Sequence, residues 1–166
     1  ICSECTRHPP PWQRLFVRYQ YQAPLTMLVL QYKFGKRWQL ATTLAELMPT
    51  APAADVVLPI PLHSARQHWR GFNQAHELAR KMQLRPATGL LTRIVNTPPQ
   101  TTLPDKAARR KNIRGAFVAD GAVQNLSVLL VDDVMTSGAT LFEAARTLKK
   151  AGCKTVNVLL LARTVV

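Results

Sequence analysis

Acidic residues are scarce in this chain: 9 Asp and Glu stand against 22 Lys and Arg, a formal net charge of +13 at pH 7. So unbalanced a surface attracts polyanions, whether nucleic acid, an anionic membrane or a multiply phosphorylated small molecule. Charge alone does not choose among them. Cysteine is scarce too. Three residues, with Cys153 far from Cys2 and Cys5, make no disulfide framework, and a reducing, cytoplasmic setting is the simpler expectation. No apolar run approaches the roughly 20 residues of a membrane-spanning helix, and no cationic-then-apolar leader marks the chain for secretion. Aromatic residues amount to 7%, and Trp12, Trp38 and Trp69 are spread so widely that they read as packing rather than as a base-stacking platform.

What is present is an ordinary globular composition, 47% hydrophobic and 19% charged over 166 residues. That length suits one domain whose core needs no disulfides. Residues 1–11, with two Cys and three Pro, read as an irregular lead-in, and 12–166 as the domain. Leu15 to Tyr21 is expected as a strand. Pro24 then starts a helix in which Leu25, Leu28, Val29 and Tyr32 share a face and Gly35 is the stop. A second helix spans Trp38 to Met48. Further on the pattern alternates: a strand at Asp55 to Pro61, a polar loop from Leu62 to Arg70, and a helix from Phe72 to Met82. A strand at Leu90 to Val95 and a basic, mobile loop from Asn96 to Gly115 follow. Ser127 to Val131 is a continuous apolar run, expected as a strand buried on both faces. A helix from Gly138 to Ala151 and a strand from Val156 to Ala162 complete the series. Alternation of this kind implies a mostly parallel sheet covered on both sides.

The chemistry concentrates in Val128-Leu-Leu-Val-Asp-Asp-Val-Met-Thr-Ser-Gly-Ala-Thr140. Two carboxylates, Asp132 and Asp133, are expected at the C-terminal end of a buried strand, the edge where open α/β sheets bind ligands. Thr136 to Thr140 then open a helix whose N-terminal N–H groups and dipole favour an anion. The plain alternative is a strand–turn–helix in which the aspartates only cap. The whole thirteen-residue pattern resembles the phosphoribosyl pyrophosphate (PRPP) motif of type I phosphoribosyltransferases. A second block, Arg70-Gly-Phe-Asn-Gln-Ala75, is followed by Arg93, Thr97, Gln100, Leu103, Arg109, Asn112, Ala116 and Phe117. Together they resemble the ComF family of competence-related proteins, which includes the GntX-like members.

The resemblance implies an α/β fold of the type I phosphoribosyltransferase kind, a mostly parallel central sheet flanked by helices. It implies that Asp132 and Asp133 hold the ribose hydroxyls, often through Mg²⁺, and that Thr136, Ser137, Gly138, Ala139 and Thr140 cradle the 5′-phosphate. The hypoxanthine-guanine branch carries an Asp where this chain has Thr136, which argues against a 6-oxopurine acceptor. His63, Ser64, Ala65 and Arg66 are placed to offer backbone N–H groups and a cation to the pyrophosphate. Arg70 matches a phosphate edge bidentately. The alternative leaves both arginines as solvated loop charges. Arg109, Arg110 and Lys111 lie in the basic loop, which either closes over the diphosphate, contacts nucleic acid or is simply solvated. Phe72, Asn73 and Gln74 read as a helix start with Asn73 as cap. Cys153 reads as a small buried residue.

Cys2 and Cys5 have zinc-ligand spacing, but a structural site wants four ligands. ComF relatives carry a Cys-rich segment before the transferase domain, so residues 1–11 are expected as the tail of such a segment, with zinc in its full-length form. The chemistry implied is transfer of a phosphoribosyl group from PRPP, with Mg²⁺, to an unidentified acceptor, releasing pyrophosphate. Other implied partners are a different phosphorylated ribose, single-stranded DNA, proteins of the competence machinery and a second copy in a homodimer. The competing class is a non-catalytic DNA- or protein-binding module that retains the PRPP loop.

Overall fold

A computed structural model describes residues 9–35, 37–97 and 106–164. Its elements run β1 (Arg14–Gln20), α1 (Leu25–Phe34), α2 (Leu40–Glu46), β2 (Val56–Pro59), α3 (Ser64–Arg70), α4 (Gln74–Lys81) and β3 (Leu91–Arg93). Then come α5 (Lys106–Ile113), β4 (Phe117–Ala119), a 3₁₀ turn at Gly121–Val123, β5 (Ser127–Met135), α6 (Ala139–Lys150) and β6 (Thr155–Arg163). Four strands form one parallel sheet in the order β1-β6-β5-β2, and β3 pairs with β4 in a small antiparallel ribbon.

The two central strands are those with unbroken apolar runs, Val128 to Val131 and Val158 to Ala162, all fully buried. Side chains alternate across a strand, so each run feeds two cores. Val128, Leu130, Val158 and Leu160 pack with α6, Phe117 and Ile113. Leu129, Val131, Leu159 and Leu161 pack with α1, α2 and α4. Full burial of one Leu side chain contributes about 1.5–3 kcal/mol, so a parallel sheet clad on both faces is the arrangement that satisfies both sets. Cys153 is buried in the first cluster, as its composition-level reading has it. Among the described residues no helix is long and apolar enough to cross a membrane.

Three local expectations change. The stretch Leu62 to Arg70 is not a loop: α3 occupies Ser64–Arg70, capped by His63, whose Nδ1 accepts from the Ala65 N–H, and stopped at Gly71 in the left-handed region at φ 82°. The basic stretch 96–115 contains α5, because Ile113, an apolar side chain in a cationic sequence, buries against α6 and anchors the turn. β4, which the sequence reading does not anticipate, completes a ribbon too short to show alternation.

Candidate functional site

β5 continues beyond Val131 to Met135, paired with β6 as far as Arg163, while β2 stops opposite Val131. Asp132 and Asp133 therefore sit inside β5 rather than at its end, where loss of the neighbouring strand opens a cleft. The cleft holds about 250 Å³ and is lined by both aspartates, the whole turn Thr136 to Thr140, and Lys33, Phe34, Arg66, Arg70 and Arg93.

Adjacent strand positions point to opposite faces, and the two carboxylates differ accordingly. Asp133, 2% exposed, turns toward α1. Its Oδ1 accepts from the Val134 N–H at 2.8 Å, and its Oδ2 meets Lys33 Nζ at 2.8 Å. This second contact is an ion pair off the direction of a regular hydrogen bond. Asp132 is only half-buried, and its Oδ1 accepts from the Asp133 N–H at 2.9 Å. Desolvation, then repulsion by Asp133, pushes the Asp132 carboxyl above the usual carboxylate range, with Lys33 working the other way. Burial opposes the charge on Lys33, but the carboxylates of Asp133 and Asp132 outweigh it and raise its pKa. Lys33 is the residue that sequence reasoning missed. Its signal was there: it lies four positions after Val29 and next to Tyr32, on the buried face of α1, where a lone ammonium needs a partner.

Another wall of the cleft is the turn between β5 and α6. Gly138 adopts φ 74°, and the Ser137 hydroxyl accepts from the Ala139 N–H at 3.4 Å, long enough to be exchanged for an incoming anion. A Cβ at position 138 would stand 3.3 Å from Met135 Sδ, so this turn is shaped for glycine on two counts.

The Arg70 to Gln74 block joins α3 to α4. Asn73 caps α4, accepting from the Ala75 and His76 N–H groups, and donates from Nδ2 to the Ile60 carbonyl at 3.0 Å. Gln74 accepts from Arg70 Nη1 at 2.7 Å through its side chain, while Tyr32 donates to its carbonyl. Arg70 stacks over Phe34 at 5.1 Å and keeps a buried Nε with no hydrogen-bond partner among the described residues. Arg66 donates to the Thr97 carbonyl, and Arg93 to the Thr97 hydroxyl at 2.6 Å. Burial, with repulsion from Arg66, lowers Arg93 to about 10, which leaves it charged at neutral pH.

Of the residues assigned to the pyrophosphate, Arg66 and Arg70 reach the cleft; His63, Ser64 and Ala65 do not line it. The N–H groups of Ala65 and Arg66 are already taken, by the His63 side chain and the His63 carbonyl, so they are not a free cradle. Arg109 and Lys111 stand on α5, outside the described lining of the cleft; the Arg110 backbone belongs to α5, and its side chain lies outside the described residues. Cys2 and Cys5 also lie outside them. Trp12 packs edge-on against Phe142 at 6.1 Å, as a packing residue should. Trp38 and Trp69 do not: they are 62% and 75% exposed, and Trp69 lies 6.5 Å from the Phe34 ring.

Residues 69–164 match the phosphoribosyl transferase domain family. The chain is 37% identical to a DNA utilization protein YhgH of Salmonella typhi, over 98% of this chain and 78% of that protein. It is 31% identical to Competence protein F of Haemophilus influenzae, with the same coverage of both. A solved structure described as the allosteric regulatory enzyme of purine biosynthesis superposes with a TM-score of 0.50 at 22% identity, over 79% of this chain and 29% of that one, a likeness of fold.

Proposed function

This chain belongs to the ComF family of phosphoribosyltransferase-like proteins, and on that premise we propose that its cleft binds PRPP and supports phosphoribosyl transfer. The observation that carries the reading is one cleft lined together by a glycine turn at a helix N-terminus, an aspartate pair and three arginines. The turn Thr136 to Thr140 takes the 5′-phosphate, Asp132 accepts from ribose hydroxyls, and Arg66 and Arg70 face the diphosphate, which brings its own Mg²⁺ with it. In transfer, an acceptor lone pair bonds to C1 of the ribose while the C1–O bond breaks and its electron pair leaves with pyrophosphate. The proton lost by the acceptor passes to solvent. Arg66 and Arg70, already partly desolvated, would stabilise the charge that grows on the leaving oxygens. A cytoplasmic setting, with reduced thiols, is part of the proposal.

Calorimetric titration with PRPP, with and without Mg²⁺, tests it. Saturable binding to the wild type that falls at least tenfold in a folded Asp132→Asn variant is expected. Absence of PRPP binding under both conditions would overturn it. The second reading, a non-catalytic module for single-stranded DNA or a protein partner, draws support from the +13 charge and from relatives named for DNA utilization and competence. DNA affinity that falls steeply with salt, together with no PRPP turnover, would favour it.

A further inference from the structure

A divalent cation held between Asp132 and Asp133 is the usual expectation for such an acid pair, and the burial and pairing of Asp133 do not fit it. A hard cation wants several oxygen ligands with free lone pairs. Asp133 is 2% exposed, one of its oxygens accepts from the Val134 N–H, and the other faces Lys33 Nζ at 2.8 Å. Asp132 has one oxygen committed to the Asp133 N–H. No group of three or more His, Cys, Asp or Glu among the described residues gathers as a metal set.

We infer that the ammonium of Lys33 is the resident cation of this acid pair, so that the ribose end of a ligand is held without a metal ion. Two neighbouring carboxylates in a desolvated site repel, and one positive charge from α1 offsets part of that repulsion. Asp133 then serves as the anchor of Lys33, and Asp132, the more open of the two, is left to accept from hydroxyls. In this arrangement Lys33 is a positioning residue: it touches Asp133 and sets the charge that Asp132 presents. The inference deepens the proposed function and rests on it only for the identity of the ligand.

Ribose 5-phosphate separates this end of the site from the diphosphate, because it has the hydroxyls and the 5′-phosphate alone. Its affinity for wild-type protein should change less than about twofold between EDTA and Mg²⁺. Lys33→Met should weaken it at least tenfold in EDTA and regain part of the loss in Mg²⁺; Lys33→Arg should stay within about threefold of wild type. Mn²⁺ titration of the ligand-free protein, followed by electron paramagnetic resonance, gives a readout independent of any sugar. Wild type and Asp132→Asn should bind the same number of Mn²⁺ ions. A Mn²⁺ site in the wild type that Asp132→Asn removes, or Mg²⁺-dependent ribose 5-phosphate binding, or unimpaired binding by Lys33→Met, would overturn the inference. Should ribose 5-phosphate fail to bind, or Lys33→Met fail to fold, the Mn²⁺ comparison still decides it, whereas absent PRPP binding counts against the proposed function alone.

Discussion

Gly138 carries a backbone φ of 74° at the head of α6, a conformation an L side chain adopts only under strain. Gly138→Ala should lower stability by about 1–2 kcal/mol, read from urea unfolding, and should weaken PRPP binding in the fraction that folds. Wild-type PRPP affinity in that variant would place the 5′-phosphate elsewhere. The same scale explains why Arg70 differs from the other basic residues. It is aimed by Gln74, stacked on Phe34 and half-buried, whereas Lys81, Arg85 and Lys150 are exposed. Lys33 is a parallel case, a cation fixed by the carboxylate that needs it.

Among the elements, α6 is tied to the turn between α5 and β4 in a way the helix pattern alone does not suggest. Glu143, 6% exposed, accepts from the Gly115 N–H at 2.8 Å and from Arg146 at 2.6 Å, linking α6 to the turn before β4. Burial works against its charge, but the bonds from Arg146 and Gly115 outweigh it, so its carboxyl titrates below its ordinary value of 4.5. A depressed folded-state pKa means that the stabilisation is complete above the unfolded value and is lost as pH falls through the folded one. Glu143→Gln should therefore cost about 1–3 kcal/mol at pH 7, and the gap between variant and wild type should close below about pH 4.5. A gap that persists unchanged to pH 3 would show that the charge of Glu143 contributes nothing. α5 teaches the opposite lesson. Its sequence is too basic to read as part of a core, yet Ile113, 1% exposed, buries in the cluster that α6 also feeds.

At the scale of the whole molecule, the chain carries 22 basic residues against 9 acidic ones, and Lys33 and three arginines line the cleft among the described residues. Most of the basic residues therefore stand outside the described lining of the cleft. Arg109→Ala with Lys111→Ala should leave PRPP affinity unchanged, because neither residue lines the described cleft. If α5 contacts single-stranded DNA, the slope of log affinity against log salt should fall by about 0.7 for each charge removed. Fluorescence anisotropy with a labelled random oligonucleotide measures it. A loss of PRPP affinity would instead restore the loop-closure role expected of this segment.

The main parallel strands, the helices around them, the double-sided burial of β5 and the acid–glycine turn were legible in the sequence, whereas α3, α5 and β4 were not. Each legible feature depends on residues within a few positions of one another: apolar runs, a cap such as Asn73, a glycine that permits one turn. The tertiary structure alone decided that Lys33, most of a chain length away, meets Asp133, that β2 ends early enough to open the cleft, and that Arg66 and Arg70 face it while His63 and Ser64 do not. Spacing carries no information about such pairings. They are fixed by which helix face a sheet buries, and a buried carboxylate takes whatever cation that packing delivers.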